Sequence, residues 1–350
     1  MSALTPEPGA VLGMGNPLLD ISAVVPQEFL DKYGLQMANQ ILAEEKHAPM
    51  FAEMVANFPV EYIAGGATQN SIRVCQWMLQ APHSCCGYMG CIGNDEFGEK
   101  MKAQAAADNV TVSYMVDEAT PTGTCAVCVK DSERSLVANL AAANNYKIAH
   151  LEKPENWALV EAAKVVYSAG FFITVSPDSM MKVAQHCCEE NKVYCLNLSA
   201  PFIVEVPPFL EALKNLLPYV DYLFGNETEA MAFSKAMGWD CKDVSEVAAK
   251  AARLPKQNGG RQRTVVFTQG GEDTLVARDG VVTNYPVPAV KKEEIVDTNG
   301  AGDAFVGGFL SQLCRPVAKH ISDMVRAGNY AASCIIKVSG CKMEGEPISL

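Results

Sequence analysis

The sequence predicts an α/β protein, with a three-layer α/β/α domain on a mostly parallel sheet and a small β-rich piece set apart from it. Three observations carry this. From about Lys164 onward, short apolar runs of strand length alternate with helical apolar spacing. Between Asp20 and Gly65, and again from Pro121 to about Ala141, that alternation gives way to short β-runs. The polar residues of the chemical motifs fall at the ends of predicted strands.

In the N-terminal third, Thr68 to Leu79 has helical spacing, opened by Gly65-Gly66. Thr124 to Val129 reads as a strand of a hairpin whose turn lies near Lys130-Asp131-Ser132-Glu133-Arg134. The alternation then runs through a strand at Val165 to Ala169, a helix at Ser179 to Asn191, and a strand at Val193 to Leu198. It continues with a helix at Phe209 to Leu217, a strand at Tyr222 to Phe224, a helix at Thr228 to Met237 and a buried strand at Thr264 to Thr268. Such order implies a parallel sheet covered on both faces. Ligands of these sheets bind beyond the carboxyl ends of the strands, where Asn197, Asn226, Thr268 and Gly270 stand. Gln257 to Arg263 is a short polar loop, and the chain carries no repeat or low-complexity tract.

Composition bounds the function. With 350 residues and 49% hydrophobic content the chain can bury a large core, and its length alone would allow two domains. No apolar run reaches the ~18 residues of a membrane span, and Met1 to Gly9 lacks both a basic and an apolar region. A soluble, unsecreted protein is expected, in the cytoplasm with the nucleus as a second location. The formal charge of −12 argues against nucleic acid and membrane as partners. A nucleotide site must therefore be locally positive, or built from backbone dipoles and a metal ion.

The 13 cysteines are scattered through apolar segments, as buried thiols in a reducing compartment would be. Cys125 and Cys128 form a C-x-x-C inside a predicted strand, which turns them to opposite faces, and neither Cys85-Cys86 nor Cys187-Cys188 has histidines at ligand spacing. No metal–cysteine site is expected. There is no G-x-x-x-x-G-K-[ST], so the chain is not a Walker P-loop protein, and Gly13-Met14-Gly15 lacks the third glycine of a dinucleotide fingerprint.

The most informative segment is Asp297-Thr298-Asn299-Gly300-Ala301-Gly302-Asp303-Ala304-Phe305. The residues after it have helical apolar spacing, so the unpaired N–H groups of a first helical turn gather around Ala301 to Asp303 and favour an anion. Asp303 beside them can accept a proton from an alcohol. The structural alternative is a Gly-rich loop with Asp303 as a helix-dipole partner.

From Asp297 to Phe309 the chain reads D-T-N-G-A-G-D-A-F-V-G-G-F, which resembles the second signature of the ribokinase-like (PfkB) kinases. Gly15 to Ile21, Ala64 to Ser71, Pro121 to Cys125, Asn197 to Phe202 and Phe224 to Ala230 are similar to the nucleoside-phosphorylating members, and the likeness runs from about Leu12 to about Cys341. It implies a ribokinase-like fold in which residues 1–17, 66–119 and 142–350 form the large nucleotide-binding domain and 18–65 and 120–141 a small lid. Gly65-Gly66 would be its hinge; a tight turn before the following helix is the other reading. The implied activity is transfer of the γ-phosphate of ATP, as co-substrate, to the 5′-hydroxyl of adenosine with Mg²⁺, by a monomer. Rival readings are a sugar kinase of the same family and an inactive nucleoside-binding protein.

The resemblance also assigns roles. Asp303 is the expected base, with the N–H groups of Gly300, Ala301 and Gly302 as an anion hole and Arg134 facing the phosphates; an exposed turn arginine is the alternative for Arg134. Asp20 would read the ribose diol and Asn70 would touch the nucleoside, against a loop acid and a surface amide. Asn16, Gln40, Gly65, Gly66, Thr68 and Asn299 complete the acceptor side; the base needs apolar walls, for which Leu18, Cys125, Leu136, Ala138, Phe172 and Phe202 are candidates, with an ordinary core position as the alternative for each. Asn226, Thr268, Gln269, Gly270, Gly271 and Asn329 are expected on the ATP side; Asn329 stands where some similar enzymes have histidine, which puts the ATP-base contacts in doubt. Glu229, in an N-x-x-E pattern with Asn226, would hold the Mg²⁺ hydration shell, or simply complete an N-capped helix.

Overall fold

The computed structural model describes residues 5–37, 39–130, 133–317 and 319–348. Its strands, in chain order, are β1 (Val11–Met14), β2 (Leu18–Val24), β3 (Gln40–Leu42), β4 (Glu61–Gly65), β5 (Cys86–Gly93), β6 (Thr111–Asp117) and β7 (Thr124–Lys130). They continue with β8 (Glu133–Asn139), β9 (Val165–Ala169), β10 (Val193–Asn197), β11 (Tyr222–Asn226), β12 (Thr264–Gln269), β13 (Glu272–Arg278) and β14 (Val281–Tyr285). Nine of them make one sheet in the order β14-β13-β12-β11-β10-β9-β1-β5-β6, and β3-β8-β7-β2-β4 make a second.

The large sheet is parallel from β12 through to β6, and its central strands are apolar on both faces. Alternate residues feed two cores: Val166, Leu196, Val265 and Phe267 face one, and Val165, Tyr167, Cys195 and Val266 the other. Helices Pro177–Glu189, Pro207–Leu216, Glu227–Ala236 and Val244–Ala252 cover the first face. Ala67–Leu79, Ala301–Leu313 and Ile321–Ile335 cover the second, giving three layers. The Ala301–Leu313 helix lies between its two neighbours, where Cβ atoms on Gly307 and Gly308 would stand 2.5 Å from Ser71 O and 2.3 Å from Ala327 O. That close approach is why the motif carries a Gly-Gly pair.

The sheet is mostly parallel, as expected; at its edge, β12, β13 and β14 turn antiparallel. The reason is local: Gly270-Gly271 closes a two-residue hairpin with Gln269 opposite Glu272, and Gly270 has φ +57°. A departure concerns residues 20–65, where short β-runs were expected. Helices Gln27–Tyr33 and Ala48–Asn57 lie there, the first stopped by Gly34 in the left-handed conformation and the second carrying proline at its start. Phe29, Leu30, Met50 and Met54 from these helices pack with Ile21, Ala126, Cys128 and Val137 on one face of the small sheet. The opposite face presents Leu18, Cys125, Val127 and Ala138, so Cys125 and Cys128 do point apart. The turn between β7 and β8, at Asp131 and Ser132, lies outside the described residues.

Candidate active site

A cavity of about 270 Å³ lies where the small sheet covers the carboxyl ends of the large sheet's strands. The small sheet contributes Leu18 and Asp20 from β2, Gln40, Ile41 and Leu42 from β3, Cys125 from β7, and Leu136 and Ala138 from β8. The large sheet contributes Asn16, Phe171, Phe172, Asn197, Ser199, Phe202, Asn226 and Glu229, and the first turn of the Ala301–Leu313 helix adds Asn299, Gly300, Gly302 and Asp303. Gly66, Thr68 and Asn70 line it from the start of the Ala67–Leu79 helix.

Asp20 lies on β2 opposite Ile63, with its carboxylate packed where a Cβ of Gly65 would be. Gly65 thus supports Asp20 without lining the cavity itself. Gly66 has φ +95°, and a Cβ there would come to 2.3 Å from Asn16 O, so only glycine fits this junction of β4 and helix. The turn it makes points Asn70 inward, where Nδ2 donates to Asp303 Oδ2 at 3.1 Å. Asn16 Nδ2 donates to Phe171 O at 3.4 Å. The other amide atoms, Asn16 Oδ1 and Asn70 Oδ1, are buried acceptors with no protein partner. A cavity lined by orphan acceptors suits a ligand that brings hydroxyl donors.

Three carboxyls line the same space, and burial pushes each up to about 7. For Asp20, Arg134 and Arg73 oppose the burial effect while the Asp303 charge adds to it. That repulsion belongs to the pair, and it shows on the group that ionises second. For Asp303 the hydrogen bond from Asn70 opposes burial. Asp303 is therefore a stronger base than a free aspartate near pKa ~3.9.

Gly300, in the left-handed conformation at φ +79°, caps the Ala301–Leu313 helix, and Ala304 N–H donates to Gly300 O at 2.8 Å. Gly300 and Gly302 line the cavity; Ala301 does not, because its N–H turns back to Thr298 O at 3.3 Å. Of the three residues expected to form an anion hole, Gly300 and Gly302 line the cavity beside Asp303 and Ala301 does not. Arg134 also departs from expectation. It is neither an exposed turn residue nor a cavity-lining one: it is buried, with Nε 2.5 Å from Asp297 Oδ1 and Nη2 donating to Ser339 Oγ at 3.1 Å. The Nε–H is not aimed along the short contact, so this is an ion pair rather than a hydrogen bond.

A smaller cavity of about 50 Å³ adjoins the first, sharing Asn197, Asn226, Glu229 and Gly302 and adding Thr268 and Phe305. Glu229 and Asn226 form a reciprocal cap: Asn226 N–H and Nδ2 donate to the two Glu229 oxygens at 3.0 and 2.9 Å, and Glu229 N–H donates to Asn226 Oδ1 at 2.8 Å. The structural alternative for this pair is therefore present. Glu229 is also the one carboxylate among the described residues that lines both cavities. No cluster of three or more metal-ligating side chains occurs among the described residues. Mg²⁺ takes few protein ligands, so a single buried carboxylate lacking a cationic partner fits it.

Beyond Thr268, Gln269 Nε2 donates to Asp273 O at 2.8 Å, and Gly270 and Gly271 make the hairpin turn with open space above them. These three line neither cavity. Asn329 does not either: it is buried on the Ile321–Ile335 helix, and its Oδ1 accepts from Thr274 Oγ1 at 3.3 Å. Packing against β13 consumes the side chain that was expected to meet the ATP base.

Sequence reasoning missed Ile41, Leu42, Phe171 and Ser199. Ser199 is a non-glycine residue at φ +70°, its hydroxyl accepting from Gly170 N–H at 2.8 Å and its N–H donating to Asn197 Oδ1 at 3.0 Å. It ties the loop bearing Phe171 to the loop bearing Phe202, whose ring centroids lie 6.0 Å apart. Strain of this kind gathers at ligand sites but leaves no trace in residue type.

An α/β/α sheet, a covering β-sheet, and an aspartate on the first turn of a glycine-capped helix define a phosphotransferase of the ribokinase-like class. The chain matches the model of the pfkB family carbohydrate kinases over residues 27–347, and it belongs to that family. It is 59% identical to adenosine kinase 1 of Arabidopsis thaliana over 339 residues, 97% of each chain. Among solved structures it resembles Anopheles gambiae adenosine kinase in complex with P1,P4-di(adenosine-5) tetraphosphate, at a TM-score of 0.93 and 44% identity, covering 98% of this chain and 100% of that one. It likewise resembles Schistosoma mansoni adenosine kinase in complex with adenosine and AMP, at a TM-score of 0.89 and 36% identity, over 97% and 98% of the two chains.

Proposed function

We propose that this protein is an ATP-dependent kinase that phosphorylates the 5′-hydroxyl of adenosine, giving AMP and ADP. The observation that carries it is the pairing of two buried carboxylates, Asp20 under the small sheet and Asp303 at the helix start, in one cavity with orphan acceptors and an aromatic wall. Asp20 can accept from vicinal ribose hydroxyls, and Asn16 Oδ1 and Asn70 Oδ1 give further acceptors. Leu136, Ala138, Phe171, Phe172 and Phe202 offer apolar surface that a purine would cover and a bare sugar would not. The family brings ATP as co-substrate. Its phosphates approach through the smaller cavity, past Thr268 and the open face of Gly270 and Gly271.

Phosphoryl transfer through a loose transition state asks mainly for alignment and charge stabilisation. Asp303 orients the alcohol and takes its proton as the new P–O bond forms, while Asn70 holds the carboxylate in place. The Gly300 and Gly302 N–H groups stabilise charge on the transferred oxygens. Mg²⁺ would be held by Glu229 through water, and when bound it neutralises phosphate charge. The small sheet serves as a lid hinged at Gly65-Gly66 that excludes water. The acidic charge disfavours nucleic acid and anionic lipid as partners, and the mostly buried thiols suit a reducing compartment such as the cytoplasm or nucleus.

The test is transfer of label from [γ-³²P]ATP to adenosine, 2′-deoxyadenosine, ribose and fructose, with a Mg²⁺ titration repeated for Glu229→Gln. Adenosine should beat its 2′-deoxy analogue by about 10- to 150-fold in kcat/KM, the worth of one charge-assisted hydrogen bond. Glu229→Gln should need more Mg²⁺ for half-maximal rate. A sugar preferred over adenosine would refute the acceptor assignment, and an unchanged titration would remove Glu229 from the metal.

A further inference from the structure

Asp297 opens the phosphate-binding motif, yet it lines no cavity and is 1% exposed. Its carboxylate joins three segments distant in sequence. Oδ1 accepts from Asn299 N–H at 3.0 Å, one residue before Gly300, and lies 2.5 Å from Arg134 Nε of β8. Oδ2 accepts from Gly340 N–H at 2.9 Å. Ser339, the neighbour of Gly340, accepts from Arg134 Nη2, so the guanidinium and the carboxylate grip the same turn from both sides. That turn belongs to the small sheet's surroundings: Gly340 lies against Ile63 of β4, and Lys342 pairs with Glu61 of the same strand.

We propose that Asp297 is a positioning residue that couples the small sheet to the Gly300–Gly302 loop through Arg134, so that lid closure and assembly of the anion site are one event. The inference rests on the phosphotransferase reading above and deepens it. Both members of the pair are buried, so little salt screens them, and withdrawing Arg134 would leave an uncompensated buried carboxylate. That carboxylate holds Asn299 N–H. When it loses its cation it must protonate or turn outward, and the peptide that sets Gly300 loosens with it. The same guanidinium charge reaches Asp20, where it opposes the effect of burial, so the pair stands between the acceptor end and the transfer end of the cavity. An enzyme so built completes its anion site only under a closed lid, where water is excluded from the phosphoryl group.

The experiment compares full-length wild type with Arg134→Gln, Arg134→Lys, Asp297→Asn and the Arg134→Gln/Asp297→Asn double variant, using amide hydrogen exchange and kinetics. Arg134→Gln, a change in the lid, should speed exchange at 298–303; Asp297→Asn, a change in the other lobe, should speed it at 133–139. The central strands β10 and β11 serve as the control for general unfolding and should not change. Each single variant to a neutral side chain should lose about 10- to 10²-fold in kcat, with the double no worse than the poorer single, because a coupled pair is lost once. Arg134→Lys, which keeps the charge, should fall between, and it serves should Arg134→Gln unfold. Unchanged exchange across the lobes, or losses that multiply in the double variant, would overturn the coupling. If wild type transfers no phosphate to adenosine, the functional reading fails, and the exchange measurement still decides the coupling.

Discussion

At the scale of single residues the site turns on where protons reside. Burial raises Asp303 to about 7, so in the ligand-free enzyme its ionised fraction changes across neutral pH. A base must be ionised to act, and kcat/KM reports the free enzyme, so kcat/KM should rise with pH through about 7 and level off above it. Asp20 is raised to a similar value and repels Asp303, so the limb alone does not name its owner. Asp20→Asn separates them: the limb should persist near 7 at lower overall kcat/KM, since burial of Asp303 is its main cause. Disappearance of the limb in that variant would assign it to Asp20. Asp303→Asn, which keeps shape but cannot accept the proton, should lower kcat by about 10²- to 10⁴-fold with little change in adenosine affinity; retention of more than a tenth of the activity, with chemistry rate-limiting, would exclude the base.

At the scale of elements, the Ala301–Leu313 helix places the chemistry because two glycines let it sit between its neighbours. Gly308→Ala would drive a Cβ to 2.3 Å from Ala327 O, on a helix backbone that cannot yield locally. Overpacking of this kind costs about 1–3 kcal/mol and here tilts Asp303, so melting temperature and kcat should fall together. Gly302→Ala meets no atom within 4 Å and should melt like wild type. Its methyl nevertheless stands in the anion approach, so kcat should drop; undiminished kcat in Gly302→Ala would place the phosphate elsewhere. The same helix shows what a sequence can display. Its start was legible because glycine spacing, helical periodicity and an acid at the first turn agree, and the parallel strands were legible from their apolar runs. The helices at 27–33 and 48–57 were not, because each is short and flanked by β-runs that set the local pattern. Gly270-Gly271 reads equally as a phosphate loop or a hairpin until β13 is seen to pair back on β12. Arg134 and Asn329 are decided by Asp297 and Thr274, partners 163 and 55 residues away, and no local pattern reaches that far.

At the scale of the whole molecule, holding three carboxyls in one cavity sets stability against function. Asp20 and Asp303 move from the ordinary 3.8 to about 7 on folding, and Glu229 from 4.5 to about 7. Between roughly pH 4 and 7 the folded chain therefore binds more protons than the unfolded one, and the linkage slope is negative. The stability these groups contribute is fully present below their unfolded pKa values and is lost as pH rises through about 7. Other groups titrate in the same range, so the clean measurement is a difference. The Asp20→Asn/Asp303→Asn double variant, which cannot ionise at either position, should gain on ligand-free wild type as pH rises from 5 to 8, its melting temperature exceeding that of wild type by several degrees more at pH 8 than at pH 5. Saturating adenosine and Mg·ATP should reverse the order at pH 8, because the substrates bind the folded wild type and raise its stability by mass action while the variant has lost the groups that hold them. A gap between variant and wild type that stays constant from pH 5 to 8 would mean that the carboxyls are not held neutral by the cavity, and that the site's charge is balanced by protein groups rather than by the ligands it awaits.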